Sequence, residues 1–118
     1  MRRVTRRQRG TPPRPTDRDL NCWKRLLKRA SLASGDPAGD PLSFVKAAEK
    51  AGKAVAPVGH QGADSPFIAL VKMGRGWAAT PRVDRVDLAP ELRRLVRACL
   101  TILSAGEPQP RLPYADEA

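Results

Sequence analysis

The chain has 118 residues, a formal net charge of +10 at pH 7 and only 4% aromatic residues. This length suits one domain with a modest core and excludes two independent domains. No apolar run resembles a signal peptide, and no stretch approaches the length of a transmembrane helix. We therefore expect a cytoplasmic protein without a membrane partner.

The positive charge is concentrated towards the N-terminus. Residues 1–31 contain eleven Lys and Arg against two Asp, whereas residues 32–118 contain eleven against ten acids. Such a one-sided charge raises the local concentration of polyanions around the protein. It predicts a partner that is nucleic acid, either DNA or RNA, or an acidic protein surface.

Residues 1–15 combine six arginines with one glycine and three prolines. A segment of this composition cannot bury apolar surface, so we predict an extended basic arm. Guanidinium groups can bind phosphate with two hydrogen bonds each, which suits the arm to a nucleic-acid backbone. The arginines concerned are Arg2, Arg3, Arg6, Arg7, Arg9 and Arg14. The alternative is a solvated tail that only aids solubility.

A first helix is predicted over residues 17–33. Thr16 is its candidate N-cap, and Asp19 occupies the position that completes a capping box. Apolar residues from Leu20 to Ala33, Trp23 among them, recur at helical spacing and predict a face buried in the core. The opposite face is basic and would extend the surface of the arm. It comprises Arg18, Asn21, Arg25, Lys28 and Arg29.

A second helix is predicted over residues 41–51, with Asp40 as its cap and Gly52 as a left-handed terminator. Short apolar runs then predict strands over 54–58, 66–72 and 76–80, with the sequence GRG at 74–76 as a hairpin turn. The segment around Val83 and Val86 is a further strand candidate.

The last helix is predicted over residues 88–105, between Asp87 as cap and Gly106, and a Pro-rich tail follows at 107–118. The sequence thus predicts an α+β fold in a small single domain over residues 16–106. Its helices would pack on a short two- or three-stranded antiparallel sheet, with extended tails at both ends.

The chain offers little for catalysis. His60 is the only histidine, and Asp64 and Ser65 lie too near it in one loop to form a nucleophile, base and orienter. Cys22 and Cys99 lack metal-ligand spacing, and we expect reduced thiols rather than a disulfide. We expect no enzymatic activity, no metal and no cofactor.

These observations predict a non-enzymatic nucleic-acid-binding accessory or regulatory protein that uses the arm and the basic face of helix one. Arg75 would add a contact beside Trp77, whose ring could stack on a base, although we favour its packing under the hairpin. The alternative is a small protein-binding inhibitor or adaptor, of the kind that mobile elements encode. Such a protein would dock its basic surface on an acidic partner.

Overall fold

The computed structural model describes residues 11–105, and its regular secondary structure is entirely helical in that range. The helices are α1 (Asp17–Gly35), α2 (Leu42–Ala51), α3 (Pro66–Arg75) and α4 (Arg82–Ala105). Residues 11–105 contain no strand, so the predicted α+β fold with an antiparallel sheet is wrong. Residues 1–10 of the predicted arm and the whole predicted tail at 107–118 lie outside the described residues, as does Gly106.

The start of α1 follows from local sequence. The backbone N–H of Thr16 donates to Asp19 Oδ2 at 2.9 Å, and the backbone N–H of Asp19 donates to Thr16 Oγ1 at 3.1 Å. These two bonds form the predicted capping box and satisfy two backbone donors that the helix cannot. At the start of α2 the N–H of Leu42 donates to Asp40 Oδ1 at 3.0 Å, but the N-cap is Pro41 rather than the predicted Asp40. Gly52, however, has a φ of −64°, so the predicted left-handed terminator is wrong.

The third helix occupies the segment for which a strand was predicted over 66–72. The side chain of Ser65 accepts a hydrogen bond from the N–H of Phe67 at 3.1 Å, and Pro66 lies in the first turn. Proline suits this position because its missing N–H would have no partner there. The buried side recurs at helical spacing and comprises Phe67, Leu70, Val71 and Gly74.

The other two predicted strands are also absent. Residues 54–58 and 76–80 form loops and turns, and each contributes to the core, through Ala56 and Trp77 respectively. The predicted hairpin at GRG is instead the end of α3, where the N–H of Gly76 donates to Lys72 O at 3.2 Å. These short apolar runs are therefore core contacts made from loops.

The fourth helix begins at Arg82, before the predicted residue 88, and continues through Pro90. Asp87 lies inside it, so the predicted cap at Asp87 is wrong. Val83 and Val86 are 68% and 52% exposed, which contradicts the strand proposed for them. The extra N-terminal turns are held by Arg85, which is buried and faces the neighbouring loops.

The four helices are arranged around one core. α1 packs against α2 and α4, and α3 packs against the same two helices from the other side. Two edge-on aromatic pairs lie within the core: Trp23 with Phe67, at 5.2 Å between ring centroids, and Phe44 with Trp77, at 5.5 Å. Trp23 also donates through Nε1 to Val55 O at 2.9 Å, which ties α1 to the loop after α2.

Candidate nucleic-acid interface

A surface groove of about 470 Å³ lies between the N-terminal half of α1 and the C-terminal end of α2. We call it the basic groove. Its lining comprises Arg18, Asp19, Asn21, Cys22, Arg25, Ala47, Lys50, Lys53 and Ala54. Cations outnumber acids there by four to one. Two consecutive helices thus bring to one surface positive charges that lie at least 25 residues apart in the sequence.

Each side of the basic groove is fixed by backbone structure. Arg18 and Arg25 project from α1, whose register the capping box sets. Lys50 is in the last turn of α2, and the N–H of Lys53 donates to Lys50 O at 3.1 Å in the turn that follows. Two lysines three residues apart therefore lie at the end of a helix, where positive charge complements the helix dipole.

The single acid of the basic groove is engaged in the helix cap. The carboxylate of Asp19 accepts the backbone N–H of Thr16, and chiefly this hydrogen bond lowers the pKa of Asp19 below its usual value. The carboxylate therefore stays ionised, and the nearby charge of Arg18 also favours this form. The groove lining thus combines four positive charges with one negative charge.

The basic face predicted for helix one is on the surface of α1. Arg18, Asn21, Arg25 and Lys28 are exposed, and Arg29 is half-buried. Arg29 lines a second, smaller cleft of about 260 Å³, which it shares with Asp36 and Asp40. Only part of the predicted face therefore belongs to the basic groove, because the far end of α1 meets acidic residues.

Arg14 lies at a different cleft, of about 490 Å³, formed with His60 and the C-terminal end of α4. Gln61 anchors this part of the arm, because its Nε2 donates to Pro13 O at 2.7 Å and to Ala56 O at 2.9 Å. The remaining predicted arm contacts lie outside the described residues. They are Arg2, Arg3, Arg6, Arg7 and Arg9.

Arg75 is exposed, and its guanidinium lies against Gly52, directly before Lys53 in the chain. It adds a positive charge at the end of α2. Trp77 is 1% exposed, so its ring is not available to a base. The favoured burial of Trp77 is therefore correct, although it packs against Phe44 in a helical core and not under a hairpin.

Lys50 and Lys53 are functional candidates that the sequence analysis did not select. Their signal in the sequence is the spacing of three residues at a predicted helix end. Recognising them as part of a site requires the packing of α2 on α1, which no local pattern encodes.

Metal ligands, a serine hydroxyl and the two thiols were the other candidate reactive groups among the described residues. No group of three or more His, Cys, Asp and Glu in residues 11–105 could hold a metal ion. The hydroxyl of Ser65 caps α3 by accepting the N–H of Phe67. Both cysteines are free thiols, and burial raises the pKa of Cys99 to about 12.

Comparison with protein-family models, with curated proteins and with solved structures found no match. Within residues 11–105, none of the helices has the length and apolar character needed to cross a membrane.

Proposed function

We propose that this protein binds nucleic acid without catalysing a reaction, and that the basic groove holds phosphates while the N-terminal arm adds further contacts. The observation that carries the proposal is the convergence of Arg18, Arg25, Lys50 and Lys53 around one groove. Like charges brought together repel one another, and a polyanion would relieve that repulsion. The only acid of the groove is committed to a helix cap.

The two kinds of cation have complementary roles in this proposal. Each arginine can bind two oxygens of one phosphate, whereas each lysine acts as a compact point charge. Binding would release counterions from the nucleic acid. If all four groove cations meet phosphates of a DNA duplex, the groove alone contributes a slope of about −3.6 to log K against log salt.

The test compares three full-length proteins on fluorescently labelled DNA and RNA by anisotropy, between about 50 and 200 mM NaCl. The groove variant is Arg18→Gln with Arg25→Gln. The matched control is Arg82→Gln with Arg97→Gln, which removes the same charge from exposed positions on α4 outside the groove. Circular dichroism checks that all three proteins fold.

We expect the groove variant to bind at least about tenfold more weakly, because two charge-assisted hydrogen bonds are lost. Its salt slope should be shallower by about two, one for each phosphate contact. The control should stay within about twofold of the unchanged protein, because screened charges outside the groove contribute little. Equal losses in both variants would contradict the groove as the binding site.

An adaptor that docks on an acidic protein would behave differently. Weak binding to DNA and RNA by all three proteins, with no difference between groove variant and control, would contradict the nucleic-acid proposal. It would favour the acidic protein partner instead, because an adaptor binds polyanions weakly and its own partner tightly.

A further inference from the structure

Building on the proposed function, we infer that the basic groove takes double-stranded nucleic acid, held through its phosphates, rather than an unpaired strand held through its bases. The distinction depends on two features of the described surface: where the aromatic rings lie, and how the cations are spaced.

The aromatic rings are in the core. Proteins that hold unpaired strands combine a positive groove with exposed rings on which successive bases stack. Here every Trp and Phe of the chain is at most 1% exposed: Trp23, Trp77, Phe44 and Phe67. The rings are paired edge-on with one another, and their release would require the core to open. Residues 11–105 thus present cations without a Trp, Tyr or Phe on which a base can stack.

The cations of the groove project from two packed helices and from the turn after α2. Along α1, the rise between the backbone positions of Arg18 and Arg25 is about 10 Å. Lys50 and Lys53 form a second set on the opposite side of the groove. A duplex has the higher charge density, about one negative charge per 1.7 Å of axis, and its phosphates are already ordered. An unpaired strand must first be ordered along the same cations, which costs conformational entropy.

A substitution at Asn21 can test whether the lack of an exposed ring is what disfavours the unpaired strand. It is exposed, it lines the basic groove, and it lies on α1 between Arg18 and Arg25. A ring placed there would supply the stacking surface that the groove lacks, and the core would not be disturbed.

The first experiment measures binding of the full chain to four labelled probes at one salt concentration. The probes are an unpaired DNA strand, the same strand as a DNA duplex, an RNA duplex of the same sequence, and a DNA duplex of unrelated sequence. We expect the unpaired strand to bind at least about tenfold more weakly than the better of the two matched duplexes. The two DNA duplexes should agree within about threefold, because phosphate contacts carry no sequence information.

The outcomes separate the two proposals. Binding to the unpaired strand that equals or exceeds binding to both matched duplexes would overturn the duplex inference and leave the proposed function intact. A strong preference between the two DNA duplexes would also overturn it, because the bases would then be read. If none of the four probes binds, the proposed function itself is contradicted.

The second experiment introduces the missing ring. Asn21→Trp should raise affinity for the unpaired strand by about fivefold or more, since stacking of one base on an aromatic side chain contributes on that scale. Affinity for the duplex should not share this gain. In the control Val86→Trp, which places the same ring at an exposed position of α4 outside the groove, both affinities should change by less than about twofold. Two outcomes of Asn21→Trp would overturn the inference. One is an equal gain in affinity for the duplex and for the unpaired strand, and the other is no gain in affinity for the unpaired strand.

Discussion

Arg85 is the one charged side chain that is buried within residues 11–105, at 7% exposure. It donates through Nε to Thr80 O at 2.9 Å and through Nη1 to Pro37 O and Gly39 O, each at 3.3 Å. A buried charge has to be hydrogen-bonded, and these three carbonyls provide the bonds. The same contacts join the α1–α2 loop to the first turns of α4.

Arg85→Ala is expected to lower the free energy of unfolding by about 2–4 kcal/mol, because three half-buried carbonyls lose a charged donor. Urea denaturation followed by circular dichroism measures the change. The control is Arg82→Ala, in the same helix and exposed, which should alter stability by less than about 0.5 kcal/mol. Similar losses in the two variants would show that the hydrogen bonds of Arg85 are not what stabilises this region.

The two thiols should differ in reactivity. Burial raises the pKa of Cys99 to about 12, whereas Cys22 is half-buried in the basic groove. At pH 8 a thiol reagent such as Ellman's should titrate one thiol in the native protein and two in urea. Cys22→Ser should remove the native reaction. Two reactive thiols in the native protein would contradict the burial of Cys99.

The raised pKa of Cys99 also has a consequence for stability. The unfolded chain loses this proton near the ordinary value of 9.0, before the folded protein does at about 12. The buried thiol therefore contributes stability that is fully present below pH 9 and is lost as the pH rises towards 12.

At the scale of the elements, α2 and α3 approach closely at Gly74. A Cβ added there would lie 2.5 Å from Ala48 Cβ and 2.9 Å from Phe44 Cε1. Both neighbours are buried core residues, so the helices would have to separate to admit a methyl group. The close contact explains why a glycine lies on the buried side of α3.

Gly74→Ala is expected to cost about 1–3 kcal/mol of stability, the usual range for overpacking a core. Gly76→Ala is the matched control, because the nearest atom to its added Cβ is Lys72 O at 3.7 Å. Thermal unfolding of both variants measures the difference. A Gly74→Ala protein as stable as the control would show that α2 and α3 can move apart at little cost.

The elements differ in how far the sequence determines them. α1 is predictable because Thr16 and Asp19 form a local cap and the apolar spacing is regular. α3 is not, because the run Phe67–Met73 is apolar on nearly all sides, and periodicity cannot separate a buried strand from a buried helix. In the structure Ser65 is the N-cap and Pro66 lies in the first turn, so these two residues are the local features that favour the helix.

The start of α4 could not be predicted for a different reason. Proline inside a helix removes a backbone hydrogen bond, whereas proline in the first turn does not. Pro90 therefore favours a helix that begins shortly before residue 90. The structure nevertheless continues the helix on the N-terminal side of Pro90. The turns there depend on bonds from Arg85 to residues more than forty positions earlier, Pro37 and Gly39. Contacts of that range are invisible to local patterns.

At the scale of the whole molecule, the candidate site is assembled from segments of different predictability. Its α1 half follows from helical periodicity, because Arg18 and Arg25 lie opposite the apolar stripe. Its α2 half, Lys50 and Lys53, depends on how two helices pack. The contribution of the arm to binding is predicted from its charge alone. Deleting the arm tests that contribution directly.

Deletion of residues 1–10 should make the salt dependence of DNA binding shallower. The deletion removes five arginines, and a slope reduced by about 4.5 is expected if each meets a phosphate of the duplex. It retains Pro13 and Thr16, so the contact with Gln61 and the cap of α1 are preserved. The control replaces the same ten residues by glycine and serine. An unchanged slope in both proteins would show that the arm is a solvated tail.

The anchoring of Pro13 by Gln61 sets a limit on how far residues 1–12 can reach. Gln61 holds this carbonyl and that of Ala56 together, so the point where the arm leaves the folded helices is fixed. Twelve residues can span at most about 43 Å from that point. On a DNA duplex this distance corresponds to about thirteen base pairs. Nuclease protection that is lost when the arm is deleted should therefore lie within about thirteen base pairs of the point where the arm leaves the helices.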